Sequence, residues 1–442
     1  MAALATILLL FSAVTSHYPT GEGPYGIAIA DFDGDGDGDL VTADFRSNTL
    51  SVLWNQGRGT FGGGTTIAVG SRPLEVVAAD LDGDGDPDVA VTNDNSNTVS
   101  VVLDLARRTD VPSGGSGPTA LATGDLDGDG DLDLAVANNR SNTVAVLTND
   151  GHGRFAPSGS YGAGGDGGLF SVALGDVDGD LDLDVAVVVQ SSNAVAVLTN
   201  TAGLLSPPVL HPVGRAPIGV AVADLAGDGR PEVVVANLDG RSLSIVHPAG
   251  GPTGTVDLRG DEPHSVTPAD LDADGDLDLA VPLHNHDMVE VLHNDGSGAL
   301  TAGGLYGAGR GPTIAAAGDL NRFGHTDLAV ANVVTNTVSV LLDDVCASAP
   351  PTTTNTQATA TDGPDILVGT AGRDRIAGGA GADIIFGLGG DDLLSGGGGD
   401  DIICGGDGHD RVSGDAGLDA CGAELAIGCE RRLPPPLTST VW

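Results

Sequence analysis

The sequence predicts an all-β chain, a seven-bladed β-propeller followed by a C-terminal parallel β-roll. Three observations carry that expectation. An acidic segment recurs seven times at a period near 48 residues, beginning at Asp31, Asp80, Asp125, Asp176, Asp224, Asp270 and Asp319. Each copy lies in the same frame of short apolar runs, as expected of one supersecondary unit repeated. Toward the C-terminus a second period appears, with Asp365, Asp374, Asp383, Asp392, Asp401, Asp410 and Asp419 spaced nine residues apart. No window sustains a 3.6-residue apolar period, which excludes a helical solenoid.

Taken in order, the chain opens with AALATILLLFSAV at residues 2–14. Two readings stand. One is a signal peptide over 1–16, with Val14 and Ser16 as small residues before a cut at His17, although no Lys or Arg precedes it. The other makes Leu8–Val14 a propeller strand. The run is too short to span a bilayer, and no other segment is long and apolar enough.

The propeller is expected over 17–345. Within each unit an apolar stretch such as Leu74–Ala79 or Ile218–Ala223 precedes the acidic loop, and a β-rich stretch such as DLAVAN at 133–138 follows it. Seventeen residues after each first Asp another alternating strand begins, at 48, 97, 142, 193, 241, 287 and 336. Four short strands per unit of this length describe a propeller blade. The seventh copy runs into Asp343-Asp344 without a fourth strand, whereas residues 11–26 resemble the segment that precedes the other acidic loops. The N-terminus is therefore expected to supply the outer strand of blade seven. Removing residues 17–24 should then cost the whole propeller.

The loops have the spacing of a site for a hard cation. Alternate carboxylates at positions 1, 3, 5 and 9, with Gly at 6, surround a Ca2+ ion with oxygen, and position 7 offers its backbone carbonyl. Loop one carries Asp31, Asp33, Asp35, Asp37 and Asp39; loop two Asp80, Asp82, Asp84, Asp86 and Asp88; loop three Asp125, Asp127, Asp129, Asp131 and Asp133. Loop six carries Asp270, Asp272, Asp274, Asp276 and Asp278. Loop four has Asp176, Asp178, Asp180, Asp182 and Asp184 but Leu181 at position 6, so weaker binding is expected there. Loop five has Ala226 at position 3 and Glu232 at position 9; loop seven has Asp319, Asn321 and Asp327 with Phe323 in place of an acid. These two are expected to be largely empty. Mg2+ suits such a flexible all-protein oxygen cage less well, and zinc is disfavoured because no His or Cys lies among the ligands.

A single DxDxD run would read as a solvated turn, but four intact copies in phase with strand pairs would not. These residues resemble the FG-GAP/VCBS repeat family, the seven-bladed propeller also found at the head of integrin α chains. The resemblance covers roughly residues 17–345. It implies that the loop aspartates bind Ca2+, that the ion has a structural role bracing each first hairpin, and that ligands bind on a propeller face.

After Cys346 the composition changes. Residues 346–362 read as an extended Thr/Pro-rich linker. Then GGAGADIIF, GLGGDDLLS, GGGGDDIIC and GGDGHDRVS follow the nonapeptide G-G-x-G-x-D-x-U-x, the Ca2+-binding parallel roll pattern. Gly permits the tight turn, Asp374, Asp383, Asp392, Asp401, Asp410 and Asp419 take the metal, and Ile376, Ile385, Leu394, Ile403 and Val412 fill the core. A flexible Gly-rich linker would not lock both an Asp and an apolar residue to period nine. This region, 363–423, resembles the RTX hemolysin-type calcium-binding repeat, and 424–442 forms a tail. Cys346, Cys404, Cys421 and Cys429 bracket it; 421–429 with 346–404 is one of three connectivities open to four cysteines.

Composition supports this and excludes much else. The 442 residues carry a net charge of -43, from 61 acidic against 18 basic groups, all of the latter Arg. Of the acids, 42 lie in the two sets of repeats. Lacking any Lys, the chain has no Walker A loop, kinase site or Schiff-base lysine. So acidic a chain is not expected to bind nucleic acid. Aromatics are 3%, yet 40% apolar residues argue for a core. No HExxH or GxSxG occurs, and GEGPYG at 21–26 opens a strand, so it is a chance match to a dinucleotide loop. His284, His286, Asp287 and His293 form the one His cluster, which reads as a polar turn rather than a zinc site. Modules of this kind bind Ca2+ in the range of about 10⁻⁴–10⁻³ M, which is filled outside a cell. A secreted monomer is expected. Its function is read as adhesion or ligand binding, to protein or carbohydrate; the alternatives are an extracellular polysaccharide lyase or hydrolase and a structural matrix component.

Overall fold

The computed structural model describes residues 16–343 except 58 and 322–324, and 363–433 except 364, 382, 400, 407, 417–419, 423–424 and 428–430. Residues 1–15, the linker 346–362, Phe323, Cys346, Asp419 and Cys429 therefore lie outside the described residues. The chain divides into two compact units, the propeller in one and the C-terminal strands in the other.

Seven four-stranded antiparallel sheets make the propeller. Blade two is typical, with Pro73–Ala79 innermost, then Asp88–Asn93, Thr98–Leu103 and Arg107–Pro112 outward. The second strand of each blade, for example Asp133–Asn138 or Asp327–Asn332, is buried along its whole length. Neighbouring blades cover both its faces, which is why these segments read as continuous apolar runs rather than alternations. Core clusters accordingly form between blades. Val41, Val52, Val76, Val89 and Val91 join blades one and two, while Val187, Leu198, Ala135 and Val146 join three and four.

Blade seven is completed as expected. Ser16–Pro19 pairs antiparallel with Thr337–Leu341, Tyr18 opposite Val338. Tyr18 packs edge-on against Phe61 at 5.3 Å, in the cluster that joins blades seven and one. Strands from the two ends of the propeller segment thus close one ring.

The seventeen-residue offset marks a latch. Asn48, Asn97, Asn142, Asn193, Arg241, Asp287 and Asn336 all adopt left-handed φ between 48° and 58° in the turn before the third strand. Asn and Asp tolerate that conformation better than most side chains. Several also reach to the next blade: the Oδ1 atoms of Asn48, Asn97, Asn193, Asp287 and Asn336 accept the N–H of Arg72, Gly117, Ala216, Gly311 and Gly23. The last of these bonds, 2.8 Å, runs from blade seven to blade one.

The second unit is a parallel roll. One sheet stacks Ile366–Val368, Ile384–Phe386, Ile402–Cys404, Ala420–Gly422 and Arg431–Leu433; the other stacks Arg375–Ala380, Leu393–Gly398, Arg411–Ala416 and Leu425–Ile427. Each turn uses two nonapeptides, so residues pair with partners 18 positions on, as Ile385 does with Ile403. Between the sheets runs a single apolar file of Leu367, Ile385, Leu394, Ile403, Val412 and Cys421, with Ile376 packed against it. Of the five expected core residues, Ile385, Leu394, Ile403 and Val412 are in that file and Ile376 flanks it, partly buried. Cys404 and Cys421 are both disulfide-bonded. No described helix is long and apolar enough to cross a membrane.

Candidate metal centres and the central channel

Each acidic loop joins the inner strand of a blade to its second strand. In loop one, Asp31 organises the turn: Oδ1 accepts the N–H of Gly34 and Asp35, and Oδ2 that of Gly36. Asp35 then accepts from Asp37 at 2.8 Å. Similar turns recur in loops two and three, at Asp80 with Gly83 and Gly85 and at Asp125 with Gly128 and Gly130. Position 6 takes a left-handed φ in loops one to six, 88° at Gly36 and 97° at Gly85. Leu181 adopts it too, at 75°, and its N–H still reaches Asp176 Oδ2 at 2.9 Å. Loop four therefore keeps the shared geometry at the cost of strain in a non-glycine residue.

Position 9 has a role that the metal pattern alone does not reveal. Asp39 is fully buried and accepts two backbone N–H groups, from Phe32 at 3.1 Å and Asn55 at 2.7 Å. Asp88, Asp133, Asp184 and Asp278 repeat both bonds. Glu232 and Asp327, in the two degenerate loops, keep the bond from position 2. This acid therefore pins the hairpin whether or not the rest of the loop is intact. Burial raises the pKa of Asp39, Asp133 and Asp184 to about 6.

The side chains at positions 1, 3 and 9 converge. One oxygen each from Asp31, Asp33 and Asp39 lie within 4.8 Å of one another, as do those of Asp80, Asp82 and Asp88 and of Asp125, Asp127 and Asp133. Three clustered carboxylates suit a hard divalent ion. In loop two, Arg107 reaches the same place, 3.2 Å from Asp82 and 2.6 Å from Asp104.

Two contributors were not read from the sequence. Asn55, Asn149, Asn200 and Asn294 lie 24 residues after the first Asp of their loops. Their amides donate to the carbonyls of Leu320, Leu81, Leu126 and Leu225 in the preceding blade. Their recurrence at a fixed offset was the available signal. The other is His293. Instead of sitting in a polar turn with His284 and His286, it ends the strand Met288–His293 and faces loop six. Its Nδ1 lies 3.1 Å from Asp272 Oδ2 and 3.5 Å from Asp278 Oδ2.

In the roll the aspartates are built into the stack. Asp383, Asp392, Asp401 and Asp410 are 1–2% exposed. One oxygen of each accepts the N–H of the residue one turn below, Asp365 to Asp383 at 2.9 Å and Asp374 to Asp392 at 2.7 Å. The other oxygens of Asp383 and Asp392 are buried with no hydrogen-bond partner. An orphaned carboxylate oxygen is costly in a protein interior, and a Ca2+ ion would supply the missing contact. The donor set fits that ion.

A separate feature occupies the propeller axis. The inner strands line a cavity of about 240 Å³ bounded by Tyr25, Glu75, Phe170, Ile218, His264 and Ile314, among others. Burial raises the Glu75 pKa to about 8 and lowers that of His264 to about 3, and it lifts the Tyr25 hydroxyl well above its ordinary range. The His264 ring stacks edge-on to Tyr25 at 5.4 Å and tilts against His284 at 5.3 Å. An adjoining cavity of about 290 Å³ shares Tyr25 and Phe170 and opens among Arg72, Asp94, Asn139 and Arg140. These residues belong to the turns at the end of the blades away from the acidic loops. Arg72 and Arg140 share Asp94, at 3.4 Å and 2.9 Å. Arg46 lies nearby over the Phe45 ring, at 4.8 Å.

Fold and loops together define a calcium-binding β-propeller. FG-GAP-like repeats match residues 31–91, 80–136, 125–187, 177–235 and 224–281, and the chain belongs to that family. RTX calcium-binding nonapeptide repeats match 359–394 and 386–420. No curated protein sequence matches the chain. Among solved structures it is similar to BBS1N in complex with ARL6DN (15% identity, 76% of this chain, 98% of that one, TM-score 0.59). It is also similar to virginiamycin B lyase from Staphylococcus aureus (14%, 74%, 98%, 0.54) and to Kuenenia stuttgartiensis hydrazine synthase (16%, 77%, 99%, 0.53). At such identities the likeness concerns the fold alone.

Proposed function

We propose that this chain is a secreted, calcium-stabilised binding protein that takes a protein or glycan ligand at the channel mouth of its propeller. In this reading residues 17–345 are the propeller, 346–362 a linker, 363–423 the roll and 424–442 a tail. Ca2+ is held by the aspartates of loops one, two, three, four and six and by those of the roll. Binding of millimolar character would fill these sites outside a cell and leave them empty inside, which supports export.

The observation that carries the proposal is the charge of the channel mouth. In a chain of net charge -43, Arg46, Arg72 and Arg140 gather beside Tyr25, Phe45 and Phe170, with Asp94 as the shared counter-ion. Cationic and aromatic groups at a concave site suit an anionic or sugar-bearing ligand. The acidic loops lie at the other end of the blades, so metal and ligand do not compete for one place. The test is a glycan and protein-ligand screen of the full chain in Ca2+, repeated with Arg72→Ala/Arg140→Ala. Binding that falls at least tenfold in the double variant, with an unchanged melting curve, supports the mouth. Undiminished binding would sink it.

A second reading, a polysaccharide lyase or hydrolase, draws on a specific observation. Tyr25, Glu75 and His264 line one cavity, and Glu75 stays protonated near neutral pH, as a general acid must. Glycans bound in the screen are to be assayed for new reducing ends. Cleavage abolished by Glu75→Gln would favour the enzyme; binding without cleavage favours the first reading.

A further inference from the structure

We propose that loop six, taken above with the Ca2+ loops, is instead a site for a first-row transition ion of the zinc or cobalt type, held by Asp272, Asp278 and His293, and so differs from the other propeller loops. The residue 23 positions after the first Asp faces the loop from the end of the third strand. In blades one, two, three, four and seven that residue is Trp54, Leu103, Thr148, Thr199 and Leu342. In blade six it is His293. There one carboxylate oxygen from each of Asp272 and Asp278 and one imidazole nitrogen lie within 4.8 Å of one another.

Of the three groups Asp278 is satisfied by the protein, its oxygens accepting the backbone N–H groups of Leu271 and Asn294. His293 Nδ1 is 3.1 Å from Asp272 and 3.5 Å from Asp278, yet both ring nitrogens are buried and neither completes an aligned hydrogen bond. The His293 side chain is 12% exposed and those of Asp272 and Asp278 are 11% and 0%. Asp270 Oδ1, in the same loop, is likewise buried without a partner. A buried imidazole that stands at ion-pair distance from two carboxylates, with no aligned hydrogen bond at either ring nitrogen, is what a coordinating ion would complete. A nitrogen donor changes which ion that is. Ca2+ prefers oxygen alone, whereas imidazole with carboxylates favours zinc, cobalt and their neighbours.

Blade five supplies an internal control. His247 occupies the same position and lies 3.2 Å from Glu232, but Ala226 stands where loop six has Asp272. With one carboxylate missing, two groups meet there and not three. The proposal therefore concerns one loop.

The experiment is a titration of the full chain with Zn2+ and with Co2+ in millimolar Ca2+, read by calorimetry and by the cobalt d–d absorption. One equivalent that Ca2+ does not displace is expected, with a low-coordinate nitrogen-containing cobalt spectrum. His293→Leu should weaken it about a hundredfold or more, since loss of an outer-shell partner alone costs 10–100-fold; His247→Leu should leave it unchanged. Should His293→Leu fold poorly, histidine ring 15N shifts of the wild-type chain on Zn2+ addition give the same answer, with His293 alone expected to move. No Ca2+-resistant equivalent, or one that survives His293→Leu, overturns the proposal. Terbium luminescence on the same samples reports the oxygen-only loops: if terbium binds and Zn2+ does not, this inference fails while the calcium reading stands.

Discussion

In the propeller the aspartates stand mostly outside the core, whereas in the roll they stand within it. A propeller blade buries Val, Leu and Ala on both faces of its second strand, and its acidic loop is appended to an already packed hairpin. A turn of the roll buries two apolar side chains in a single file, and next to them lies a carboxylate 1–2% exposed. Even the turns differ. In the propeller loops the first Asp closes its own turn with backbone bonds and needs no ion for that geometry. In the roll, Asp383 and Asp392 each keep one buried oxygen with no protein partner. The same residue type is thus an accessory in one unit and a structural element in the other. Calcium should accordingly tune the propeller and determine the roll.

Chelation provides the largest test of that difference. Hydrogen exchange on the full chain with and without EGTA should show residues 363–433 losing protection altogether. The buried second strands Asp88–Asn93 and Asp133–Asn138 should stay protected. Uniform loss across both units, or uniform retention, would break the comparison. A smaller but still large effect is expected at the seam of the ring. Deleting residues 17–24 removes most of the strand that pairs with Thr337–Leu341, the Tyr18–Phe61 contact and the Gly23–Asn336 latch. Three residue pairs at about 1 kcal/mol each and the burial of one Tyr come to roughly 5 kcal/mol. The propeller melting transition should then fall or vanish in saturating Ca2+, while the roll is unaffected. An unchanged propeller transition would show that closure contributes little.

Much of this was legible in the sequence because it is periodic. The 48-residue spacing gave seven blades, the period of nine gave the roll, and the lack of a fourth strand after Leu342 pointed to the N-terminal strand. What escaped was contact between segments that no local pattern joins. The spacing placed Asp39 and its equivalents among metal ligands, but their bonds to the backbone of Phe32 and Asn55 depend on where the third strand ends. His293 was grouped with its sequence neighbours His284 and His286, although strand pairing turns it toward Asp272 instead. The channel cluster of Tyr25, Glu75 and His264 draws on blades one, two and six, and no local pattern brings them together.

Glu75 sharpens the comparison from the propeller side, as a buried acid with no metal loop around it. Its folded pKa is raised from 4.5 to about 8 by burial. Between these values the folded chain holds a proton that the unfolded chain releases. Its contribution to stability is therefore present in full below about pH 4.5 and is lost as pH rises through about 8. Glu75→Gln removes that dependence. The variant should melt close to wild type at pH 5 and above it at pH 9, by on the order of a few kcal/mol, less whatever channel water screens. Equal melting at both pH values would place Glu75 in contact with bulk solvent.

The smallest effect tests whether the propeller loops hold their shape without the ion. Leu181 sits at φ 75° with its side chain 88% exposed, in a loop whose backbone bonds match those of loops with Gly at that position. The strain of a left-handed non-glycine residue is about 1–2 kcal/mol, partly offset in a Gly variant by the greater freedom of its unfolded chain. Leu181→Gly should therefore stabilise the propeller by about 1 kcal/mol, and by the same amount in Ca2+ as in EGTA, since Asp176 closes the turn in either condition. A gain that appears only in Ca2+ would mean that the ion shapes the turn. The propeller loops would then resemble the turns of the roll, and the distinction between accessory and structural aspartates would narrow to one of degree.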